Sequence, residues 1–193
     1  MCIRDRCVAD QLLPPRVSAL AAHYVPVANA SAGVTLTEVP DLSLWQLAAW
    51  PDTLQSLSKS VAAELGTDGV PGFGQALTNG AVSMLRIEPL KFWVIGAPLS
   101  ERQEGAVLDL SHSRTHIRIS GEKATTVLNS YLPLDLRSNS FAVGSVASTA
   151  FHHVGVTLWR SEQGYELFIP RGFAVSLWEL LIEAAEQYQL AIV

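Results

Sequence analysis

Residues 108–136, LDLSHSRTHIRISGEKATTVLNSYLPLDL, carry the pattern that decides the fold. Apolar and polar side chains alternate over residues 115–120, which is typical of a strand with one buried face. Gly121 ends this run and permits a tight backbone turn. Pro133 then ends a predicted helix, since proline lacks an N–H and disfavours helical geometry at the residue before it. The helix is indicated by apolar side chains at helical spacing, Ala124, Val127, Leu128 and Tyr131.

The upstream part of the chain predicts further strands. Residues 34–38 alternate as a short strand, and residues 42–50 are apolar on both faces, as in a central or interfacial strand. Residues 81–88 and 91–95 predict two strands that are joined by a tight turn at Pro89.

A helix is predicted between these strands. Asp52 is placed to cap its N-terminus, with Gln55 three residues later as in a capping box. Gly66 supplies the C-terminal stop, and a loop is expected over residues 67–80. The apolar stripe of the helix consists of Leu54, Leu57, Val61 and Leu65.

Beyond a polar linker at residues 96–105, the pattern predicts a second set of elements. After the opening unit these are three strands and a long amphipathic helix, over residues 146–151, 154–160, 165–170 and 173–188. The predicted class is α+β, with two β-α-β-β halves and mostly antiparallel sheets. The halves are residues 34–96 and 106–190, inside a single domain of residues 19–193.

The composition favours a protein with partners. Hydrophobic residues make up 49% of the 193 residues and charged residues only 16%, with a mean hydropathy of +0.25, whereas soluble domains average about 25% charged residues. No apolar run approaches the roughly 20 residues that cross a bilayer. We favour a surface that is partly covered by another chain over the alternative of a large core with a thin polar shell.

Charge and cysteine content exclude several functions. A formal net charge of −5, with 13 scattered Lys and Arg residues, argues against nucleic-acid binding, which needs a basic face. Both cysteines, Cys2 and Cys7, lie near the N-terminus. From Val8 onward we therefore expect no internal disulfide, no thiolate nucleophile and no cysteine-based metal site.

Residues 1–18 are expected to be artefactual or disordered. The hexapeptide MCIRDR matches the translation of a transposon end that is used to prepare sequencing libraries. Residues 16–32 resemble a signal peptide too faintly to predict one. Residues 18–37 contain no Asp, Glu, Lys or Arg, which suits either a disordered terminal arm or an extended arm laid over a partner subunit.

The histidines give a weak signal for chemistry. His112 and His116 would share a face on an unbroken strand, but with only Asp109 nearby they fall short of the usual metal site. Polar or hydrogen-bonded roles are favoured instead. His152 and His153 would point to opposite faces of a strand, one expected to be buried and hydrogen-bonded and the other exposed.

Known catalytic motifs are missing from the sequence. It contains no G-x-S-x-G elbow, no phosphate-binding glycine loop and no dinucleotide fingerprint. The five tryptophans lie within predicted elements and are interpreted as core or interface anchors. The sequence therefore predicts no catalytic, cofactor-binding or metal-binding residue.

Three motifs nevertheless carry a family resemblance. They are DLSHSRT at residues 109–115, LPLDL at residues 132–136 and PRGFAVSLWELL at residues 170–181. With the flanking strands, residues 19–190 resemble the gamma subunit of heterotetrameric sarcosine oxidase. That subunit is similar to a shortened aminomethyltransferase of the glycine-cleavage system, which implies a folate-binding-like fold.

The chain departs from the wider family at its acidic residues. The strand that matches residues 151–160 carries an acidic pair in that family, but here it begins F-H-H-V-G-V. Asp135 in LPLDL remains and is interpreted as structural. The K-G-C-x-x-G-Q-E motif of another branch is absent. The resemblance therefore implies a chain that is not catalytic on its own.

The resemblance implies a non-catalytic structural or assembly subunit of a cytoplasmic complex. That complex demethylates sarcosine to glycine, forms hydrogen peroxide and passes the methyl carbon to tetrahydrofolate. The expected partners are alpha, beta and delta subunits, which would hold FAD, FMN, NAD, zinc and tetrahydrofolate. No nucleic acid or membrane partner is expected. The alternative is a free-standing folate-binding protein that resembles an aminomethyltransferase.

Overall fold

A computed structural model describes residues 17–193 of the protein. Cys2, Cys7 and the hexapeptide MCIRDR lie outside this range. The described residues form eleven strands: β1 (Val34–Glu38), β2 (Leu44–Ala49), β3 (Ala76–Asn79), β4 (Val82–Glu88), β5 (Lys91–Ile95), β6 (Gly105–Asp109), β7 (Arg114–Ser120), β8 (Val146–Phe151), β9 (Val154–Ser161), β10 (Gly164–Pro170) and β11 (Leu190–Ile192). The α-helices are α1 (Leu54–Leu65), α2 (Ala124–Asn129) and α3 (Ala174–Glu186).

The strands form two sheets. The first has six strands in the order β11-β1-β7-β10-β9-β8, and the second has five in the order β3-β4-β5-β2-β6. Only β1 and β11 pair in parallel, while the other strand pairs are antiparallel. The predicted α+β class with mostly antiparallel sheets is confirmed.

Strand pairing crosses the predicted boundary between the halves. β1 was expected in one unit with β2, but it pairs with β7 and β11 of the six-stranded sheet, where Leu36 lies opposite Ile119 and Ile192. β6 pairs with β2 of the other sheet. Alternation shows which face of a strand is buried but not which strand it joins. The division into residues 34–96 and 106–190 stays a prediction.

The hydrophobic core has three parts. The largest lies where α2 and α3 pack on the six-stranded sheet, and a second lies where α1 packs on the five-stranded sheet. The third joins the two sheets, where the rings of Trp93 and Phe168 meet edge to face with centroids 5.7 Å apart. Both rings are at least 98% buried, so this contact fixes the sheets against each other.

The opening stretch folds as a strand, a turn and a shorter helix than predicted. Gly121 has φ +103°, and a Cβ there would lie 2.5 Å from the carbonyl oxygen of Gly33. Only glycine avoids both the strain and the collision. α2 ends at Asn129, so Tyr131 lies in the following turn rather than in the helix. Val127 and Leu128 are fully buried, as predicted.

Several local predictions are wrong. A 3-10 turn at Pro51–Thr53 precedes α1, and Asp52 lies inside it instead of capping the helix. Thr53 occupies the N-cap position, but its hydroxyl bonds to the carbonyl oxygens of Trp50 and Glu104. The strands β3, β6 and β11 were not predicted. The predicted helix over residues 173–188 is shorter, since α3 spans Ala174–Glu186; Phe173 precedes it and is 47% exposed, whereas Trp178 is fully buried.

The N-terminal arm packs on its own chain. Leu20 is fully buried, and the ring of Tyr24 stacks on Trp178 of α3 with centroids 5.4 Å apart. Val27 and Ile192 exchange backbone hydrogen bonds of 3.0 and 2.9 Å. From residue 17 onward the arm is therefore ordered on its own chain, so the disordered arrangement is wrong, whereas a contact of the arm with a partner subunit stays a prediction. Within the described range, no helix is long and apolar enough to cross a membrane.

Candidate functional site

Four polar side chains form a buried cluster at the centre of the six-stranded sheet. The carboxylate of Glu166 accepts a hydrogen bond from His116 Nε2 at one oxygen, over 2.7 Å. The other oxygen accepts bonds from Arg118 Nε and Ser161 Oγ, each 2.7 Å long. Glu166 is 1% exposed and His116 5%. This set is named the Glu166 cluster.

Strand register brings the Glu166 cluster together. Glu166 lies opposite Arg118 on the adjacent strand β7, and His116 is two residues earlier, so it shares the same face. Ser161 ends β9, opposite Gly164 at the start of β10. Three neighbouring strands therefore each contribute to one carboxylate site.

The surroundings keep Glu166 ionised. Burial alone would raise the pKa of this carboxyl, but the hydrogen bond and the charge of His116 outweigh burial, together with the bonds from Arg118 and Ser161, and they lower the pKa. An ionised carboxylate only accepts hydrogen bonds, so His116 Nε2 must carry a proton.

The His116 ring also connects the cluster to the contact between the sheets. It stacks on Phe168, with ring centroids 4.4 Å apart and an interplanar angle of 23°. Phe168 in turn meets Trp93 of the other sheet. The orientation of His116 is therefore fixed on one side by a carboxylate and on the other by the core.

The Glu166 cluster lines one wall of a cleft of about 420 Å³ between the two sheets. The opposite wall comes from the segment after β1 and from the ends of β3, β4 and β5. Such a volume is within the range of small-molecule sites. Asp41, with φ +52°, Ser83 and Trp159 are among the other lining residues.

The chemistry of the cleft favours a structural role for Glu166. A general base works best when its pKa lies near neutral pH, whereas the pKa of Glu166 is moved the other way. Both carboxylate oxygens are already engaged by side chains of the same chain. The arrangement stabilises a negative charge and links three strands.

The structure separates the histidines that the sequence paired. His112 lies in the exposed turn before β7, so the strand is interrupted and His112 does not share a face with His116. His116 is hydrogen-bonded, as favoured. Among residues 17–193 no group of three or more His, Cys, Asp or Glu side chains is placed to hold a metal ion.

The prediction for His152 and His153 is wrong. Both are exposed, because they form the two-residue turn between β8 and β9, where Phe151 pairs with Val154. His152 has φ +52°, which a hairpin turn of this length requires at one position. Neither histidine is buried.

Ser111 and Asp135 hold local structure. Ser111 Oγ accepts a hydrogen bond of 3.0 Å from the backbone N–H of Leu44, which ties the turn before β7 to β2. Asp135 accepts bonds from the side chains of Arg137 and Ser140 on the surface. These bonds, chiefly the one from Arg137, hold the pKa of Asp135 well below its usual range.

Glu166 was not predicted as a site residue, although the sequence around it indicates a buried carboxylate. The segment Y-E-L-F-I-P places a carboxylate between apolar side chains in a strand. A charge at such a position must find partners when the strand is central. The partners come from other strands, up to 50 residues away, so local patterns do not reveal them.

One family model matches the part of the chain that contains the Glu166 cluster. The GCVT N-terminal domain matches residues 93–193, just over half of the chain. The chain belongs to the GCVT N-terminal domain family. Its match includes β7, β9 and β10, which build the cluster.

Curated relatives of this family member are gamma subunits of sarcosine oxidase. The subunit from Corynebacterium sp. strain P-1 is 27% identical over 166 residues, which cover 70% of this chain and 82% of the relative. The subunit from strain U-96 is 31% identical over 91 residues, 47% of this chain. The chain spans less than half, 44%, of that relative.

Solved structures agree with this assignment. A chain of the heterotetrameric sarcosine oxidase from Corynebacterium sp. U-96, in complex with pyrrole 2-carboxylate, matches with a TM-score of 0.78 and 26% identity. The match covers 92% of this chain and 98% of that chain. Glycine cleavage system aminomethyltransferase T from Bartonella henselae shares the fold, with a TM-score of 0.59 and 18% identity over 84% of this chain and 48% of that protein. The resemblance to the sarcosine oxidase gamma subunit and the folate-binding-like fold are confirmed.

Proposed function

We propose that this chain is a structural assembly subunit of a heterotetrameric oxidase of the sarcosine oxidase type, and that it is not catalytic on its own. The Glu166 cluster is the observation that carries the proposal. The buried carboxylate of the cleft is held by three side chains of its own chain and has a lowered pKa. Such a group stabilises the fold and is poorly suited to proton transfer.

The match to nearly the whole of one chain of a heterotetramer supports the assembly role. In that role the partners are alpha, beta and delta subunits in the cytoplasm. They hold FAD, FMN, NAD, zinc and tetrahydrofolate and demethylate sarcosine to glycine. The apolar composition, with 49% hydrophobic residues, suits a chain that is partly covered by others.

Co-expression tests the assembly role. The full chain, expressed together with the alpha, beta and delta subunits of a sarcosine oxidase, is expected to elute with them as one flavin-containing species. Sarcosine-dependent peroxide formation by that species checks the substrate. Elution of this chain as a separate monomer while the other chains assemble and turn over would contradict the proposal.

The second candidate is a free-standing folate-binding protein. It is favoured by the cleft of about 420 Å³ in an aminomethyltransferase-like fold. Titration of the isolated chain with tetrahydrofolate, followed by calorimetry, distinguishes the two. Saturable one-to-one binding that Glu166→Gln weakens and Glu122→Gln, at an exposed position outside the cleft, leaves unchanged would favour this second function.

A further inference from the structure

The outer edge of β6 differs from the other three sheet edges in the described residues. Backbone hydrogen bonds reach the other three edges: Ile192 of β11 bonds to Val27, Ala76 of β3 donates to the carbonyl oxygen of Gly144, and Val146 of β8 donates to that of Gly74. On β6, by contrast, residues 17–193 supply backbone pairing only from β2. Of the four edges, β6 is therefore the one to which the described residues pair no further backbone segment.

The register shows which backbone groups point outward. Trp50 donates its N–H to the carbonyl of Glu104, and Leu110 donates to the carbonyl of Leu44. In an antiparallel pair, every second residue of a strand makes its backbone hydrogen bonds to the neighbouring strand. Glu104 and Leu110 bond in this way, so Ala106 and Leu108 between them also bond to β2. The N–H and C=O of Val107 consequently face away from the sheet.

This edge lacks three of the features that normally prevent pairing. Natural edge strands carry lysine, proline or a bulge, but β6 reads G-A-V-L-D and pairs with β2 without a register shift. Val107 packs toward α1, while Ala106 and Leu108 are exposed on the other face, Leu108 by 54%. Next to the strand, Trp50 is 51% exposed. The edge therefore offers both open backbone groups and apolar surface.

The charges around β6 select the partner. Glu101 and Glu104 precede the strand and Asp109 ends it, while residues 103–113 contain no Lys or Arg. Arg102, directly before these residues, forms an ion pair with Glu64, and Arg114 directly follows them. A second copy of the chain, paired antiparallel, would place Glu104 near the other copy's Asp109, and like charges across a strand pair are destabilising.

We infer that β6 is a docking edge for an extended segment of a partner subunit, with an apolar centre and Lys or Arg at its ends. The segment adds a sixth strand to the five-stranded sheet through the outward N–H and C=O of Val107. The apolar centre of the segment covers Leu108 and Trp50. This inference rests on the proposed assembly role and assigns it a surface.

Two variants of the full chain test the edge in the co-expressed complex. Val107→Pro removes the outward N–H, a position where an edge strand tolerates proline. Leu108→Lys places a charge on the exposed face. Each is expected to weaken association about tenfold or more.

The matched control is Val143→Lys, since Val143 is 51% exposed and lies far along the chain. This variant is expected to assemble like the unchanged protein. Thermal melting confirms that each variant is folded.

A second pair of variants tests whether the carboxylates beside β6 attract the Lys or Arg side chains of the partner segment. Glu101→Lys is expected to slow association severalfold and to reduce its dependence on salt. The control is Glu122→Lys, because the Glu122 side chain is 83% exposed and lies after β7. Equal effects of the two substitutions would contradict a local charge match.

The outcomes separate this inference from the proposed function. If the unchanged chain does not assemble, the assembly role fails and the docking edge fails with it. If the unchanged chain assembles and both β6 variants assemble like Val143→Lys, only the docking edge is overturned. Dimerisation of the isolated chain that Val107→Pro abolishes would instead make a second copy the occupant. Slow exchange of the Val107 amide in the isolated chain, lost when residues 1–16 are removed, would assign the edge to this chain itself.

Discussion

At the scale of single residues, Glu166 illustrates the conditions under which a carboxylate can be buried. Transfer of an ionised carboxyl out of water is costly unless hydrogen bonds and opposite charge replace the water. Three donors do so here, from β7 and β9. The cluster therefore stabilises the folded state only while Glu166 is ionised.

Replacement of this carboxylate tests its contribution. Glu166→Gln keeps the shape but removes the charge that pairs with Arg118 and His116. We expect the free energy of unfolding at pH 7 to fall by about 1–3 kcal/mol, measured by urea denaturation. The control is Glu162→Gln in the adjacent hairpin, where the side chain is exposed and a change within about 0.5 kcal/mol is expected.

The same variant tests the direction of the pKa shift. Because the folded-state pKa of Glu166 is lowered, its stabilisation is complete above the unfolded-state value of about 4.3 and is lost as the pH falls through the folded-state pKa. The difference in unfolding free energy between the unchanged chain and Glu166→Gln should therefore shrink as the solution is acidified below about pH 4. A difference that grows on acidification would show that the pKa is raised.

At the scale of elements, α2 buries Ala124, Val127 and Leu128, three of the four residues that the sequence placed on its packed face. Leu128 is fully buried against the six-stranded sheet. Leu128→Ala should lower the free energy of unfolding by about 2–5 kcal/mol, because it leaves a cavity in the core. Thr126→Ala, at an exposed position of the same helix, serves as the control. Equal midpoints of urea unfolding for the two variants would mean that the helix packs differently.

The strands whose bounds were predicted most accurately are those with the strongest local pattern of apolar side chains. β7, β9 and β10 alternate or carry long apolar runs, and their bounds were predicted to within a residue or two. β3 and β11 have only four and three residues, too few for a period to show. β6 begins with glycine at the end of a polar linker, so its strand character depends on pairing with β2.

The candidate site was less predictable than the elements that carry it. His116 and Arg118 were assigned to a polar face of β7, yet Arg118 is only partly exposed and His116 is buried. They are buried because Glu166 lies opposite on the adjacent strand β10, and because His116 stacks on Phe168, against which the second sheet packs. These contacts depend on how the sheets pack, which side-chain alternation within one strand does not encode.

At the scale of the whole molecule, the N-terminal arm completes the core. Leu20 is fully buried among side chains of the six-stranded sheet and its helices. Leu20→Ala is expected to lower the free energy of unfolding by about 2–5 kcal/mol, measured by urea denaturation. The control is Val25→Ala in the same arm, since Val25 is 65% exposed and a change below about 0.5 kcal/mol is expected. Equal, small effects would mean that the arm contributes nothing to the core.

The placement of β1 also sets an order of events during synthesis. Strands β2–β6 lie together in residues 44–109, so their sheet has all its members as soon as that stretch has left the ribosome. β1 is made earlier, but its neighbours β7 and β11 begin at Arg114 and Leu190. Until β7 emerges, the apolar side chains of β1 have no partner strand, which exposes the nascent chain to mispairing. A chaperone that binds nascent chains would be expected to bind the β1 segment first.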